Sequence, residues 1–335
     1  MGLLMDAATI DVAGIGNAIV DVISHADEAL LASEGFAKGS MTLIDAARAD
    51  ALYARIGPAI ESSGGSAGNT MAGIASLGGN GAYIGKVRDD LLGGVFRHDI
   101  TAIGIRFETP PATEGPGTAR CIVMVTKDGH RTMGTYLGAC VGLGPEDVDP
   151  AIIAAAQITY LEGYLFDPPS AKAAFRKAAA IAHQAGRQVA LSLSDSFCVG
   201  RYRDEFRELV MKDIDILFAN EAEICSLYET DDFDQAAQAV RGHVSIAALT
   251  RSEAGSVILA AGAAHRIAPA PVARVVDTTG AGDLYASGAL FGLTRGLPLP
   301  TCGAIGSLAA AEIISHVGAR PEARLDQLVA SAGLV

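Results

Sequence analysis

The sequence predicts an α/β fold with a mostly parallel sheet, and three observations predict it. Short β-branched or apolar runs recur at residues 10–15, 82–85, 158–161, 188–193, 214–219 and 245–249. Alanine-rich stretches with helical spacing lie between them, at 69–77, 169–184 and 234–241. The runs are near-continuously apolar, as strands covered by helices on both faces are. Two further helices rich in Ala, Gly and Ser, at 281–295 and 300–317, close the pattern. Their small side chains permit close helix packing.

One stretch breaks this rhythm. Residues 121–126 and 132–137 are β-rich and flank Lys127-Asp128-Gly129-His130-Arg131. An Asp-Gly between two such runs signals a hairpin. A further extended run at 39–44 precedes a helix start at Asp45. These strands predict a small β lid inserted from two segments, 36–45 and 107–140, with residues 1–35, 46–106 and 141–335 forming the core. No repeat or low-complexity linker suggests a string of independent domains.

Composition bounds the partners. The 335 residues are half hydrophobic and 19% charged, enough to bury a sizeable core. Thirty-nine glycines without a fixed period exclude a collagen-like chain. Lys and Arg total 25 against 38 Asp and Glu, and the net charge of −13 opposes nucleic acid and anionic membrane surfaces. No apolar run reaches the roughly 18 residues that span a bilayer. Five cysteines, at 121, 140, 198, 225 and 302, include no C-x-x-C, and the seven histidines form no ligand-spaced cluster. Disulfides and zinc are therefore not expected, and a reducing, cytoplasmic setting is.

The strongest chemical signal is Asp277-Thr278-Thr279-Gly280-Ala281-Gly282-Asp283, at the start of a helix. Backbone N–H groups at a helix N-terminus bind anions, and no bulky side chain covers them here. Asp283 would compete with a bound phosphate unless it takes a proton from the nucleophile that attacks it. Amide donors plus one carboxylate base is the layout that phosphoryl transfer needs. A Gly-rich turn with an acidic first-turn residue is the plainer alternative.

Gly64-Gly65-Ser66-Ala67-Gly68-Asn69 opens another helix, where Gly64 and Gly65 let a ligand approach the backbone and Asn69 offers a donor and an acceptor. A structural turn capped by Ser66 fits the same residues. Gly14-Ile15-Gly16-Asn17-Ala18-Ile19-Val20-Asp21 fails as a dinucleotide fingerprint, because Ile19 takes the third glycine's place. Asn17 and Asp21, at a strand's carboxyl end, suit a polyhydroxylated ligand instead, although plain turn residues fit the same positions. No G-x-x-x-x-G-K-[S/T] or H-R-D occurs, so a P-loop enzyme is excluded. Asn220-Glu221-Ala222-Glu223 reads equally as a capping box or a functional element. The run Thr250-Arg251-Ser252-Glu253-Ala254-Gly255 reads as a hairpin turn or a nucleotide loop.

Together these motifs resemble the ribokinase-like (PfkB) family of carbohydrate and nucleoside kinases over nearly the whole chain. The resemblance implies a ribokinase-like three-layer core with ATP and Mg2+ as cofactors. It implies Asp283 as the base and the amides of Gly280, Ala281 and Gly282 as an anion hole. Asn17, Asp21, Gly64, Gly65 and Asn69 would hold the acceptor's hydroxyls. Asn220 and Glu223 match the family's N-x-x-E element, with Glu223 acting on Mg2+ indirectly. Thr250, Arg251, Gly255 and Thr279 would lie at the nucleotide, and a monovalent cation, K+, would belong near Asp277. Ser252 departs from the family by replacing a glycine, and Tyr285 stands where a Phe is common.

Gly16 to Val22, the run 117–121 and the run 131–139 are similar to adenosine kinases rather than ribokinases. On that likeness Tyr136, Leu137, Tyr164 and Leu165 would wall a base. The acceptor would be the 5′-hydroxyl of adenosine. The alternative is a free sugar or sugar acid, as in ribokinases, fructokinases or 2-keto-3-deoxygluconate kinases. The likeness allows a monomer or a homodimer joined through the lid.

Overall fold

Apolar strands that alternate between two helical layers organise the protein. A computed structural model describes residues 8–260 and 262–335. The large sheet contains β1 (Ile10–Ile15), β5 (Gly81–Ile84), β6 (Arg106–Phe107), β9 (Ala156–Glu162), β10 (Gln188–Ser192), β11 (Ile216–Asn220), β12 (Ile246–Thr250), β13 (Ser256–Ala260) and β14 (Ala263–Ile267). Its order is β14-β13-β12-β11-β10-β9-β1-β5-β6. The strands from β12 to β6 are parallel, and β13 and β14 add an antiparallel edge.

Alternation along β1 shows how the layers form. Ala13 and Ile15 join a core with Phe166, Phe175 and Phe206, whereas Val12 joins the opposite core with Met71, Leu284 and Ile305. The first core lies under helices Pro169–Gln184 and Arg203–Lys212, and the second under Ser66–Ser76, Ala281–Thr294 and Leu299–Ile313. This is the three-layer α/β core that the sequence resemblance implies. Among the described residues, no helix is long and apolar enough to cross a membrane, and the five cysteines are free.

The small sheet holds β2 (Ile19–His25), β3 (Met41–Leu43), β4 (Ala59–Ser63), β7 (Ala119–Val125) and β8 (Arg131–Tyr136), in the order β3-β8-β7-β2-β4. It takes in more chain than the two expected segments, because β2 and β4 join it as well. The reason is local: after β1 the chain turns through Gly16-Asn17-Ala18 and continues as a strand in the second sheet. One face of this sheet packs Val20, Val22, Ile122 and Met124 against Leu31, Phe36 and Leu52. The other carries Ile19, Cys121, Val123 and Val125, with Ile23, Met133 and Leu137 against them. Asp21 shares this second face, since it registers with Cys121 and Cys121 with Thr135.

The two closing helices cross where both lack side chains. A Cβ on Gly288 would lie 2.6 Å from the amide nitrogen of Gly306. Gly288→Ala should therefore cost about 1–3 kcal/mol, the usual cost of overpacking a close contact. Urea unfolding would show this as a lowered midpoint, and an unchanged midpoint would mean that the helices separate freely.

Candidate functional site

Two helices begin side by side at the seam between the sheets. Helix Ser66–Ser76 starts after Gly65, whose φ is +81°, and helix Ala281–Thr294 starts after Gly280, whose φ is +79°. Both glycines hold a left-handed conformation that L side chains rarely adopt. Space demands Gly65 as well, because a Cβ there would lie 2.2 Å from the carbonyl oxygen of Asn17. Gly64 faces Asp21, whose carboxylate would be 2.4 Å from a Cβ at that position.

Asp283 joins the two helix starts. Ser66 Oγ donates to its Oδ1 at 2.6 Å and Asn69 Nδ2 to its Oδ2 at 3.0 Å. Ser66 is thus not the N-cap that a plain structural turn would have; Gly65 caps the helix and the Ser66 hydroxyl is turned to Asp283. Burial raises the Asp283 carboxyl to about 6, although the Ser66 and Asn69 hydrogen bonds and Arg320 pull it down. Asp21 is likewise raised to about 6 by burial, against the pull of Arg131 and Arg320. Asn69 Oδ1 is buried without a hydrogen-bond partner, an acceptor available to a ligand hydroxyl.

Glu162, which no motif marks, completes this floor from the carboxyl end of β9. Its Oε1 accepts from Asn17 Nδ2 at 2.7 Å and its Oε2 from Ala67 N at 2.7 Å. Burial raises it to about 7. Since β1 is flanked by β5 and β9, the chain leaves it toward both sides, and Asn17 and Glu162 stand at the resulting switch point where open α/β sheets bind ligands.

Arg131 descends from β8 to the core. Its Nη1 donates to Asp277 Oδ2 at 2.9 Å, and both side chains are buried. Asp277 also accepts from Thr279 N, Thr279 Oγ1 and Gly318 N. A cation near Asp277 would meet a carboxylate already supplied with these donors. Arg131 Nε is buried without a partner.

Of the residues expected at a nucleotide, Asn220, Glu223, Thr250, Arg251 and Gly255 lie at or just beyond the ends of β11 and β12, where Asn220 registers with Thr250, and Thr279 lies beside Asp277. The capping box is present: Glu223 N donates to Asn220 Oδ1 at 2.9 Å, and Asn220 N and Nδ2 donate to the two Glu223 oxygens. Burial raises Glu223 to about 7. Gly255 has φ +81°, and Ser252, in a glycine's place, holds φ +48°. Arg251 is engaged within the protein. It forms paired bonds to Glu221 at 3.0 and 3.1 Å and lies over Phe233.

The expected base wall divides. Leu137 joins the apolar face that carries Asp21. Tyr136 lies on the other face of β8, because strand alternation sends Arg131, Met133 and Thr135 one way and Thr132, Gly134 and Tyr136 the other. Leu165 is buried in the core beneath the helices. Tyr164 is 38% exposed, and its hydroxyl is held well above the usual range by burial and by Asp195, Asp283, Glu223 and Glu162 around it. Ile19, Cys121, Val123 and Met133 were not singled out as wall residues; stepping by two from Asp21 and along the hairpin would have found them.

Residues 48–324 match the family described as pfkB family carbohydrate kinase. The chain is 53% identical to an adenosine kinase of solved structure from Sinorhizobium meliloti, with a TM-score of 0.90 over 97% of this chain and 100% of that one. It is 51% identical to a probable sugar kinase from Rhizobium etli CFN 42, with a TM-score of 0.92 over 98% and 100% of the two chains. An ATP-dependent ribose-1-phosphate kinase from Halopiger xanaduensis is 32% identical over 237 residues, 68% of this chain and 72% of that protein.

A carboxylate that must be ionised to accept a proton loses function as pH falls through its pKa. With Asp283 as the expected base, kcat/KM should therefore rise with pH through about 6, the value to which burial raises its carboxyl. Ser66→Ala removes a donor that lowers that value, so its acid limb should lie at higher pH than the wild type's. Coincident pH profiles of kcat/KM would separate Asp283 from that limb.

Proposed function

The chain belongs to the pfkB family of carbohydrate kinases, and on that footing we propose that it transfers the γ-phosphate of ATP to the 5′-hydroxyl of adenosine, giving AMP and ADP. It is a phosphotransferase acting on an alcohol group, of the adenosine- or sugar-kinase type. The observation that carries the adenosine reading is the apolar face of the small sheet. Ile19, Cys121, Val123, Met133 and Leu137 stand on the same face as Asp21. A nucleoside offers both halves of this surface a match, with hydroxyls for the polar floor and a flat base for the hydrocarbon. A free sugar carries hydroxyls all round and would leave some of them against apolar side chains. The likeness to the Sinorhizobium meliloti adenosine kinase supports the same reading.

The catalytic geometry follows from the two helix starts. Asp21 and Asn69, with Asn17 held by Glu162, orient the ribose so that its primary hydroxyl meets Asp283. Asp283 takes the hydroxyl proton as the oxygen attacks the γ-phosphorus in line. The amides of Gly280, Ala281 and Gly282, at a helix N-terminus, receive the charge that develops on the phosphoryl oxygens. A carboxyl near 6 is ionised at neutral pH yet more basic than an ordinary aspartate, which suits a base. The small sheet, joined to the core through Arg131 and Asp277, excludes water from the transfer.

Mg2+ on ATP would neutralise the phosphate oxygens. Among the described residues no three His, Cys, Asp or Glu side chains form a cluster able to hold a metal, and both Glu223 oxygens accept from Asn220. These residues fit an ion carried mainly by the nucleotide and its waters, with Glu223 behind them.

The alternative, a free sugar as acceptor, is favoured by the 51% identity to the Rhizobium etli probable sugar kinase. ATP- and Mg2+-dependent ADP release across adenosine, other nucleosides, ribose, fructose and sugar acids decides between them. Adenosine should exceed every free sugar in kcat/KM by about tenfold or more, as loss of a buried base contact implies. Turnover confined to a free sugar would discard the base wall and leave Asp283 and the anion hole in place.

A further inference from the structure

Arg320 follows Gly318 and Ala319, beyond the Leu299–Ile313 helix, and belongs to none of the motifs. Its Nε and Nη2 donate to the Ser63 carbonyl at 3.0 and 2.7 Å, and Nη2 also reaches Ser63 Oγ at 2.9 Å. Its Nη1 donates to the Gly68 carbonyl at 2.7 Å. Ser63 ends β4 and Gly68 lies in the first turn of helix Ser66–Ser76, so one guanidinium brackets the Gly64–Gly65 turn from both sides. Ser63 N and Oγ in turn donate to Asp99 Oδ2 at 2.7 and 2.6 Å.

Every one of these direct acceptors is neutral. Burying a guanidinium on neutral acceptors is costly, and a neutral amide could make part of the same set of bonds. What arginine adds is a charge that persists at every working pH. The same turn carries its carboxylates: Gly64 faces Asp21, Ser63 bonds Asp99, and Ser66 and Asn69 bond Asp283, while a Cβ on Gly68 would lie 3.4 Å from Arg320 Nη2. With Tyr83, these groups offset the burial that draws the guanidinium down. The Asp283 charge also acts on Asp21, Glu162, Glu223, Tyr160 and Tyr164, and Asp21 feels Arg131 and acts on Cys121.

We propose that Arg320 is a positioning residue with two effects: it fixes the Gly64–Gly65 turn against the acceptor, and its charge lets Asp21 and Asp283 be carboxylates together in one cleft. The consequence for turnover rests on the kinase reading; the electrostatic role stands apart from it.

The test compares wild type, Arg320→Gln and Arg320→Lys by acceptor-dependent turnover against pH and by carboxyl NMR titration of aspartate-labelled protein. Asp21→Asn and Asp283→Asn assign the two resonances. In Arg320→Gln both midpoints should shift upward, because each carboxyl loses a positive charge that pulls it down. The acid limb should follow, and KM for the acceptor should rise about tenfold as the bracketing bonds weaken. Arg320→Lys keeps the charge but not the fork, so its midpoints should stay while KM still rises. Unmoved midpoints in folded Arg320→Gln overturn the electrostatic role. If the glutamine variant does not fold, an unchanged KM in Arg320→Lys overturns the proposal. Wild type without turnover on any acceptor counts against the kinase reading alone, since the titration still judges Arg320.

Discussion

The site depends on two helix N-termini held together by one carboxylate. Asp283, in the first turn of Ala281–Thr294, accepts from Ser66 and Asn69 in the first turn of Ser66–Ser76. An acidic group at this point favours both helix dipoles at once. The helices can approach so closely because small residues face each other: a Cβ on Gly73 would lie 2.2 Å from Ser287 Oγ. Burial still outweighs the two hydrogen bonds, which is why Asp283 sits near 6 rather than in the ordinary carboxylate range. The packing that places the proposed base therefore also makes it more basic.

The seam between the sheets follows from that pairing. The chain passes from β1 to β2 through Asn17 and returns from β4 to the core through Gly64 and Gly65. The residues proposed to hold the acceptor are the crossings themselves, so floor and cover are covalently linked at the proposed site. Glu162 and Arg320 secure the two crossings from the core, one with a carboxylate on Asn17 and Ala67, the other with a guanidinium on Ser63 and Gly68. Arg131 on Asp277 adds a bond from the cover to the anion-hole loop.

Elements whose local pattern and tertiary role agree were legible in the sequence. The helix expected at 169–184 is observed as Pro169–Gln184, and the strand expected at 188–193 as Gln188–Ser192. The hairpin around Asp128-Gly129 forms, with Gly129 at φ +84°. The run Thr250–Gly255, readable as a hairpin turn or a nucleotide loop, does turn the chain from β12 into the antiparallel β13, whereas β14 carries no pattern that marks it. Tyr136 shows a different limit: the likeness to adenosine kinases puts it on a base wall, while the parity of β8 places it on the face opposite Asp21. Glu162 and Arg320 carry no motif, and their weight comes from burial and from partners distant in sequence. Arg251 is bound to Glu221, a partner that only the fold brings near.

The most direct measurement takes Asp283→Asn and determines both adenosine binding and AMP formation. Removing a positioned base should lower turnover by about 10²–10⁴-fold. Adenosine should still bind with near wild-type affinity, since Asp21, Asn17 and the apolar face are intact. A variant that forms AMP at close to the wild-type rate would contradict Asp283 as the base and, with it, the account of why the two helix starts meet.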